Sequence, residues 1–363
     1  MLALLRRVLL TLVGAQLATA VGSPWSTPTA GAQPGPFPTG KPTTSRSATA
    51  RVTTYTFGQD LYDDMLAAIE SAQRQILFET YIWKADPVGE RFKAALVAAA
   101  DRGVDVYLIY DSWANLVVAP QFKHFPPGLH VLRYPAYAAG LRFWDLRRYG
   151  RDHRKILVVD EQVAFVGGYN IGSAYATEWR DTHVRITGPA VWDLQRGFAD
   201  FWNLHRRRRP GPSERPLLLE TASEWEPRIR VHRNVPRLWM FPIRAMYLEA
   251  INRATRNVWL THAYFIPDQD FVDALVAAAR RRRAAVVPLK SNHIVTDWIS
   301  RGYYSQLLEA GVRILRFRDA MVHAKTATID GEWSTVAPRT STAPRSRATT
   351  RSTSRSSTPA WPR

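Results

Sequence analysis

Residues 153–160 read His-Arg-Lys-Ile-Leu-Val-Val-Asp, and residues 323–330 read His-Ala-Lys-Thr-Ala-Thr-Ile-Asp. Both stretches follow the pattern His-x-Lys-x4-Asp, and the residues after each lysine favour a strand. On a strand, residues two apart project from the same face, so each copy places an imidazole beside an ammonium group. Two imidazoles and two ammonium groups are what transfer of a phosphoryl-containing group needs, because it requires acid–base groups and positive charge.

The sequence around these motifs repeats once. In the first half, ranges 61–72 and 88–102 have helical periodicity, and ranges 76–83 and 104–110 are typical of strands. In the second half, ranges 247–254 and 270–282 are the predicted helices, and ranges 258–265 and 284–289 are the predicted strands. Helices that alternate with apolar strands predict an α/β fold. We expect the two halves to pack face to face, with both motifs in one cleft.

Composition narrows the chemistry and the partner. The chain has 363 residues, 46% of them hydrophobic, and no cysteine, which excludes disulfides, zinc–thiolate sites and a cysteine nucleophile. A net charge of +18 predicts an anionic partner, either a lipid surface or a nucleic acid. Residues 337–363 contribute six arginines and no acidic residue, so the remainder still carries +12.

The N-terminal region predicts a targeting segment. Arg6 and Arg7 precede an apolar run that ends near a small-x-small site at Ala18 and Ala20. This pattern predicts that residues 1–22 are a signal peptide or membrane anchor, so we expect an exported or membrane-associated protein. Residues 23–50 are rich in Pro, Thr and Ser and are predicted to be a disordered linker. We assign residues 51–210 and 211–336 to the two halves.

The doubled motif resembles the phospholipase D superfamily, and more closely its bacterial cardiolipin synthase-like branch, over most of residues 51–336. Two further stretches of the first half also match the family pattern: Gly167-Gly168-Tyr-Asn170 and Trp179-Arg-Asp181-Thr-His183. The resemblance implies two phospholipase D-like α/β/α halves that pack about a pseudo-twofold axis. The active site is then expected between the halves.

The resemblance also implies a covalent phosphohistidine intermediate. Each motif supplies one candidate catalytic histidine, lysine and aspartate: His153, Lys155 and Asp160 in the first copy, and His323, Lys325 and Asp330 in the second. We assign His153 as the nucleophile and His323 as the acid and base that serves the leaving and incoming alcohols. The two lysines neutralise the phosphate, so we expect no metal and no other cofactor.

Other residues of the first half have expected supporting roles. Gly167 and Gly168 let the backbone approach the phosphate, and the amide of Asn170 donates a hydrogen bond to it. Asp181 is the candidate carboxylate that orients the first-half imidazole. Asp160, at the strand end, is interpreted as structural rather than catalytic.

Four further polar residues have a structural interpretation as well as a functional one. We interpret His183 and His293 as structural or rim residues. Glu79 and His262 lie on the corresponding first strands of the two halves, where a position in the core or behind the catalytic groups is as well supported as one facing the cleft.

The second half departs from the family pattern after Val336. The resemblance predicts Val-Gly-Thr-Ala-Asn there, whereas residues 336–340 read Val-Ala-Pro-Arg-Thr and a Ser/Thr/Arg/Pro-rich stretch follows. Removing one base from a coding segment for the family pattern reproduces this change, so we hypothesise that residues 337–363 are an out-of-frame tail. A genuine disordered basic tail is the alternative. An out-of-frame tail removes the second glycine, the second asparagine and the carboxylate expected to bind His323, which predicts impaired activity.

The leading functional hypothesis is a membrane-associated phosphatidyltransferase of the cardiolipin synthase type. Its expected partners are an anionic phospholipid, phosphatidylglycerol, and the membrane surface. The alternatives are a hydrolytic phospholipase D, a nuclease or other phosphodiesterase of the superfamily, and a non-catalytic membrane-binding remnant. The apolar N-terminal segment favours a lipid over a nucleic acid, and no obligate protein partner is inferred.

Overall fold

The computed structural model describes residues 40–46, 49–135, 151–206, 215–219, 226, 228–234, 240–263, 265–280, 285–286, 302–315 and 321–337. None of the helices in these ranges combines the length and the apolar character needed to cross a bilayer. Three predictions lie outside the described residues: the signal or anchor over residues 1–22, the role of His293, and the tail from residue 338 onward.

The first half is built on an eight-stranded mixed sheet in the order β1-β2-β9-β7-β6-β3-β4-β5. Its strands are β1 (Thr43–Arg46), β2 (Arg51–Tyr55), β3 (Gln75–Thr80), β4 (Asp105–Asp111), β5 (Leu129–Tyr134), β6 (Ile156–Val159), β7 (Val163–Gly167) and β9 (His183–Thr187). Its helices are α1 (Gly58–Ser71), α2 (Pro87–Asp101), α3 (Ser173–Thr177) and α4 (Val191–His205). Strands β3, β4 and β5 run parallel, while β6, β7 and β9 form an antiparallel run beside them.

Two apolar layers cover this sheet. Helices α1 and α2 supply Leu61, Ile69 and Phe92 to the core on one face. Helix α4 supplies Phe198 and Trp202 to a second core on the other face, and both side chains are fully buried. Because β3, β4 and β6 are covered on both faces, their residues read as continuous hydrophobic runs rather than as alternating ones.

The second half repeats the central part of this arrangement on a smaller scale. Its four-stranded sheet has the order β11-β10-β13-β14. The elements are α5 (Pro242–Arg253), β10 (Val258–His262), α6 (Gln269–Arg280), β11 (Ala285–Val286), α7 (Tyr304–Glu309), β13 (Lys325–Ile329) and β14 (Trp333–Val336). The pairings of β10 with β11 and β13 match those of β3 with β4 and β6, so the predicted α/β repeat is confirmed.

A short parallel pairing links the two halves. Strand β8 (Trp179–Arg180) of the first half pairs with β12 (Met321–Val322) of the second, and the backbone N–H of His323 donates to the Arg180 carbonyl at 2.7 Å. The chain therefore enters the second motif at a position fixed by the first half.

Both expected boundaries of the first half need correction. The predicted linker over residues 23–50 contains β1, because Thr43 and Thr44 suit a strand and pair with β2 in register. The first half also extends beyond residue 210. Leu217 is buried in the core beneath α4, and Arg233 forms an ion pair with Asp200 on that helix.

Candidate active site

The central feature of the site is a hydrogen bond between the halves. Nδ1 of His323 lies 2.7 Å from Oδ2 of Asp181, and both side chains are buried. Burial opposes ionisation of Asp181, but Lys325 and the contact with His323 outweigh it and hold the pKa of the carboxyl below its ordinary value. An ionised carboxylate only accepts hydrogen bonds, so Nδ1 of His323 donates and Nε2 is the unprotonated nitrogen.

This contact corrects two expectations. Asp181 was expected to orient the first-half imidazole, and His323 was expected to lose its carboxylate with the altered tail. Instead, the carboxylate of one half binds the histidine of the other, because β8 and β12 place Asp181 directly beside the entry to the second motif. His323 thus retains its carboxylate partner in this chain.

Gly168 makes room for that carboxylate. A Cβ atom at this position would lie 2.0 Å from Oδ1 of Asp181, and the Gly168 N–H already donates to the Thr182 carbonyl at 2.9 Å. Gly167 is equally constrained, because a Cβ there would lie 2.5 Å from the Cα of His183. The packing thus accounts for both glycines without a bound phosphate, and their expected role in phosphate approach stays a prediction.

His153 is held by a different set of contacts. Its Nδ1 lies 3.1 Å from Nζ of Lys155, and the same Nζ donates to the His153 carbonyl at 2.8 Å. The ring of Tyr81 packs against the imidazole, with centroids 4.2 Å apart, and also lies 5.1 Å from Nζ of Lys155. The first-half histidine therefore faces an ammonium group at the nitrogen where the second-half histidine faces a carboxylate.

Residues on either side of His153 anchor this loop. The N–H of Asp152 donates to a carboxylate oxygen of Asp111 at 3.1 Å. The guanidinium of Arg154 is ion-paired with Glu79 and with Asp152, and it lies 4.1 Å from the centroid of the Phe201 ring. Glu79 is therefore a buried structural partner of Arg154 rather than a group in the cleft.

The charge of Lys325 acts on its buried neighbours. Burial, together with the charge of Lys325, lowers the pKa of Lys155 well below its ordinary value. Burial lowers the pKa of Lys325 to about 8, and burial with the Lys325 charge lowers the pKa of His323 to about 4. The charge of Lys325 thus reaches both Lys155 and His323, so these three side chains lie close together, and their catalytic roles stay a prediction. Such a concentration of positive charge suits a phosphate diester.

The motif aspartates lie away from this centre and hold loops. The carboxylate of Asp160 accepts from the N–H groups of Gln73, Arg74 and Gln75, each at 2.8 Å. Asp330 repeats the arrangement with the N–H groups of residues 255–257 at 2.6–2.8 Å. Their grouping with the catalytic residues is therefore corrected, and the structural interpretation of Asp160 fits its position. Each aspartate fixes the loop that leads into a central strand of its half, β3 for Asp160 and β10 for Asp330.

Asn170 is buried, and its side-chain oxygen accepts from the Ile82 N–H at 3.2 Å. Its backbone carbonyl accepts a hydrogen bond from Tyr62. These contacts fix the chain beside the end of β3, and donation from the Asn170 amide to a substrate phosphate stays a prediction.

Two buried histidines lie next to the lysines. His183 and His262 have no hydrogen-bond partner for either ring nitrogen among the described residues. Burial lowers the pKa of each to about 3, so both are neutral at neutral pH. Glu79 pairs with the residue that follows Lys155, and Thr261 pairs with the residue that follows Lys325. Thr261 of the second half therefore occupies the position of Glu79, whereas His262 pairs with Lys325 itself.

Two aromatic residues of the site carry no clear sequence signal. Tyr81 follows an apolar strand, and Trp179 lies in a stretch whose family match does not distinguish packing from catalysis. In the structure Tyr81 packs on His153, and the Trp179 ring lies 5.5 Å from that of His323. Each candidate catalytic imidazole thus has an aromatic neighbour.

The described ranges contain no cluster of three or more His, Cys, Asp or Glu residues arranged to hold a metal ion.

Comparison with known proteins identifies the family of the chain. Residues 65–202 and 247–340 match the family described as "Cardiolipin synthase, PLD-like domain". A cardiolipin synthase of Geobacillus kaustophilus is 31% identical over 301 residues, which cover 80% of this chain and 59% of that protein. A cardiolipin synthase of Staphylococcus aureus is 31% identical over 294 residues, covering 78% of this chain and 59% of that protein.

A solved structure shows the same fold. Phosphatidylserine synthase of Haemophilus influenzae superposes with a TM-score of 0.52 at 13% identity, covering 77% of this chain and 76% of that one. This chain spans about three fifths of the length of the cardiolipin synthases described above. With the family match extending over both halves and both motifs, the chain belongs to the cardiolipin synthase family of phospholipase D-like proteins.

Proposed function

We propose that this protein transfers a phosphatidyl group from one phosphatidylglycerol molecule to another, forming cardiolipin and releasing glycerol. The observation that carries the proposal is the buried hydrogen bond between Asp181 and His323, which joins the halves and prepares an imidazole for attack on phosphorus. The names of the relatives support the substrate class. A lipid substrate in turn favours a membrane-associated protein.

His323 is the nucleophile in this proposal, which reverses the order expected from the sequence. With Nδ1 donating to Asp181, the lone pair of Nε2 is the one that attacks phosphorus. The low pKa of His323, about 4, keeps the ring neutral at neutral pH. Asp181 then stabilises the positive charge that the ring acquires as the phosphohistidine forms.

His153 and Lys155 supply the proton for the leaving group. A charged ammonium donates hydrogen bonds and accepts none, so Nδ1 of His153 accepts from Lys155 and Nε2 carries the proton. As the bond from phosphorus to the glycerol oxygen breaks, Nε2 of His153 protonates that oxygen and Nδ1 takes a proton from Lys155. Burial and the neighbouring Lys325 lower the pKa of Lys155, which eases this loss.

The second step reverses these proton transfers. The hydroxyl of the incoming phosphatidylglycerol loses its proton to Nε2 of His153, and Nδ1 returns a proton to Lys155. The new phosphorus–oxygen bond forms as the bond to Nε2 of His323 breaks. The enzyme ends in its starting protonation state, as a transferase must.

Activity of the chain as it stands is proposed to be impaired. The residue after the motif lysine pairs with Val166 in the first half and with Val336 in the second. Val336 is therefore equivalent to Val166, and Ala337 occupies the position of Gly167. By the same equivalence, the second-half counterparts of Gly168 and Asn170 would follow Ala337, in the part of the chain that the frameshift hypothesis replaces. Loss of preorganised polar groups of this kind costs on the order of a hundredfold in turnover.

The test compares this chain with a frame-restored chain, in which the reading frame is corrected after Val336. Both are incubated with vesicles that contain phosphatidylglycerol labelled in its acyl chains. We expect labelled cardiolipin from the frame-restored chain and at least about a hundredfold less from the present one. Labelled phosphatidic acid would instead assign a hydrolase. Cleavage of DNA without lipid turnover would assign a nuclease, and no turnover of either would indicate a remnant.

Resequencing the gene across the Val336 codon tests the frameshift separately. An intact reading frame that encodes this same tail in related strains would contradict it.

A further inference from the structure

The loop after β4 exposes adjacent apolar side chains. In this loop (residues 112–120, the Leu116 loop), Leu116 is 45% exposed and Val117 is 50% exposed. Ala119 and Pro120 continue the exposed apolar surface. Adjacent exposed aliphatic residues on a turn form a surface that suits insertion among lipid headgroups and the upper acyl chains.

The stretch of chain that contains the Leu116 loop carries basic but no acidic side chains. Residues 112–133 contain no Asp or Glu, whereas they include Lys123 and Arg133. The acidic residue that precedes the loop, Asp111, is fully buried and accepts from the N–H groups of Trp113 and Ala114. A basic and apolar surface complements an anionic bilayer, because lipid phosphates attract the cations while the aliphatic side chains leave water.

The Leu116 loop leaves the sheet beside the active site. Strands β3 and β4 are parallel and β6 is antiparallel to β3, so β3 and β4 end at the edge where β6 begins. His153 and Lys155 immediately precede β6, and the loop immediately follows β4. A bilayer that touches the loop is therefore next to the edge that carries His153.

Buried hydrogen bonds tie the loop to His153. Asn115 accepts from the Trp83 N–H at 2.8 Å and donates to the carbonyls of Tyr81 and Asp111 at 2.8 and 2.7 Å. Tyr81 packs on the imidazole of His153, and the carboxylate of Asp111 accepts from the backbone N–H of Asp152, the residue before His153. The loop is thus a rigid extension of the first-half catalytic motif rather than a separate surface.

We propose that the Leu116 loop is the surface by which this protein contacts an anionic lipid bilayer, so that phosphatidyl headgroups meet the site at its first-half edge. The proposal rests on the proposed function in taking the lipid of that bilayer as the substrate. It adds the residues that touch the bilayer and the orientation in which the enzyme approaches it.

The absence of cysteine makes the test specific, because one introduced cysteine is the only labelling site. Leu116→Cys carries an environment-sensitive fluorophore, and Leu308→Cys, 54% exposed on α7 of the second half, is the matched control. Full-length protein is mixed with vesicles of phosphatidylcholine, with and without phosphatidylglycerol. We expect a several-fold rise in emission from position 116 with phosphatidylglycerol, quenching by brominated acyl chains, and no change at position 308.

A second measurement uses no label. The double variant Leu116→Ser/Val117→Ser should sediment with phosphatidylglycerol vesicles roughly tenfold more weakly than the parent, while Leu308→Ser should sediment like the parent. Equal responses at positions 116 and 308, unchanged sedimentation of the double variant, or a response of position 116 to DNA in place of vesicles would overturn the proposal.

These outcomes are independent of turnover. Contact at position 116 without lipid conversion would count against the proposed function alone. Conversion of phosphatidylglycerol without contact at position 116 would count against the loop alone.

Discussion

The two halves of the molecule share a motif but hold its histidine differently. In the first half, β7 pairs with β6 on one side and with β9 on the other, and Asp181 lies in the short connection between β8 and β9. In the second half, β14 pairs only with β13 within the part of the chain that the structure describes. The connection between β8 and β9 therefore carries the carboxylate of the first half to the histidine of the second, and it is the only such connection among the described residues.

This difference separates the roles of two identical side chains. His323 is oriented by a carboxylate from the other half, whereas Nδ1 of His153 meets the lysine of its own motif. The residue type alone does not assign nucleophile and acid, because the group at Nδ1 decides which nitrogen carries the proton.

The largest expected effect comes from Asp181→Asn. The amide preserves the shape but can donate to Nδ1 of His323, which favours the tautomer with a protonated Nε2. We expect turnover of phosphatidylglycerol by the frame-restored chain to fall by at least about a hundredfold. Unfolding by urea serves as the control for an intact fold. Turnover within a factor of about three of the parent would contradict the claim that Asp181 gives His323 a different role from His153.

Gly168→Ala tests the same hydrogen bond through packing. The added Cβ would lie 2.0 Å from Oδ1 of Asp181, so the carboxylate must move away from His323. We expect turnover to fall about tenfold or more, since misplaced catalytic groups act inefficiently. Gly128→Ala is the control, because its Cβ would have Ala100 at 3.7 Å as its nearest neighbour. Equal activity of the two variants would contradict the packing explanation for Gly168.

The motif aspartates should affect stability in both halves alike. Asp160→Asn and Asp330→Asn each replace a carboxylate that accepts hydrogen bonds from three backbone N–H groups at the entry to β3 or β10. The neutral amide makes these hydrogen bonds weaker. We expect each variant to lower the midpoint of urea unfolding followed by circular dichroism. A second-half variant that unfolds in a separate, earlier transition would show that the halves are thermodynamically independent. A large loss of turnover without any loss of stability would return these residues to a catalytic role.

The last expected effect is spread over a range of pH, and it is the pH dependence of stability contributed by His183 and His262, one in each half. Their pKa values of about 3 in the folded protein lie below the ordinary value of 6.5. Between about pH 6 and pH 4 the unfolded chain binds protons that the folded chain does not, so the free energy of unfolding falls as the pH falls. His262→Leu should reduce this slope by about 1.4 kcal/mol per pH unit, measured by urea unfolding at several pH values. An unchanged slope would mean that His262 is hydrated in the folded protein.

The sequence predicts the α/β repeat well, because its helices and strands have local signatures. Helical periodicity and apolar strands place the central elements of each half within a few residues of their observed bounds. The doubled His-x-Lys pattern also predicts that the motif side chains share one cleft, because lysines two residues after histidines on equivalent strands face the same way. In the structure the charge of Lys325 lowers the pKa of both Lys155 and His323, so these three side chains lie close together.

The partnership of Asp181 was predicted wrongly for a physical reason. A carboxylate that lies in the first half was assigned to the histidine of that half, yet the contact depends on the pairing of β8 with β12, which no local pattern reveals. The packing of Tyr81 on His153 and the attachment of Leu217 and Arg233 to the first half likewise depend on contacts between segments distant in sequence.

The central claim, that the hydrogen bond between the halves makes His323 the nucleophile, is tested most directly by locating the covalent intermediate. The frame-restored chain is mixed briefly with phosphatidylglycerol labelled at phosphorus, quenched in alkaline detergent and digested, and the phosphorylated peptide is identified by mass spectrometry. We expect the label on His323 and its loss in Asp181→Asn. A label on His153 that persists in Asp181→Asn would contradict it.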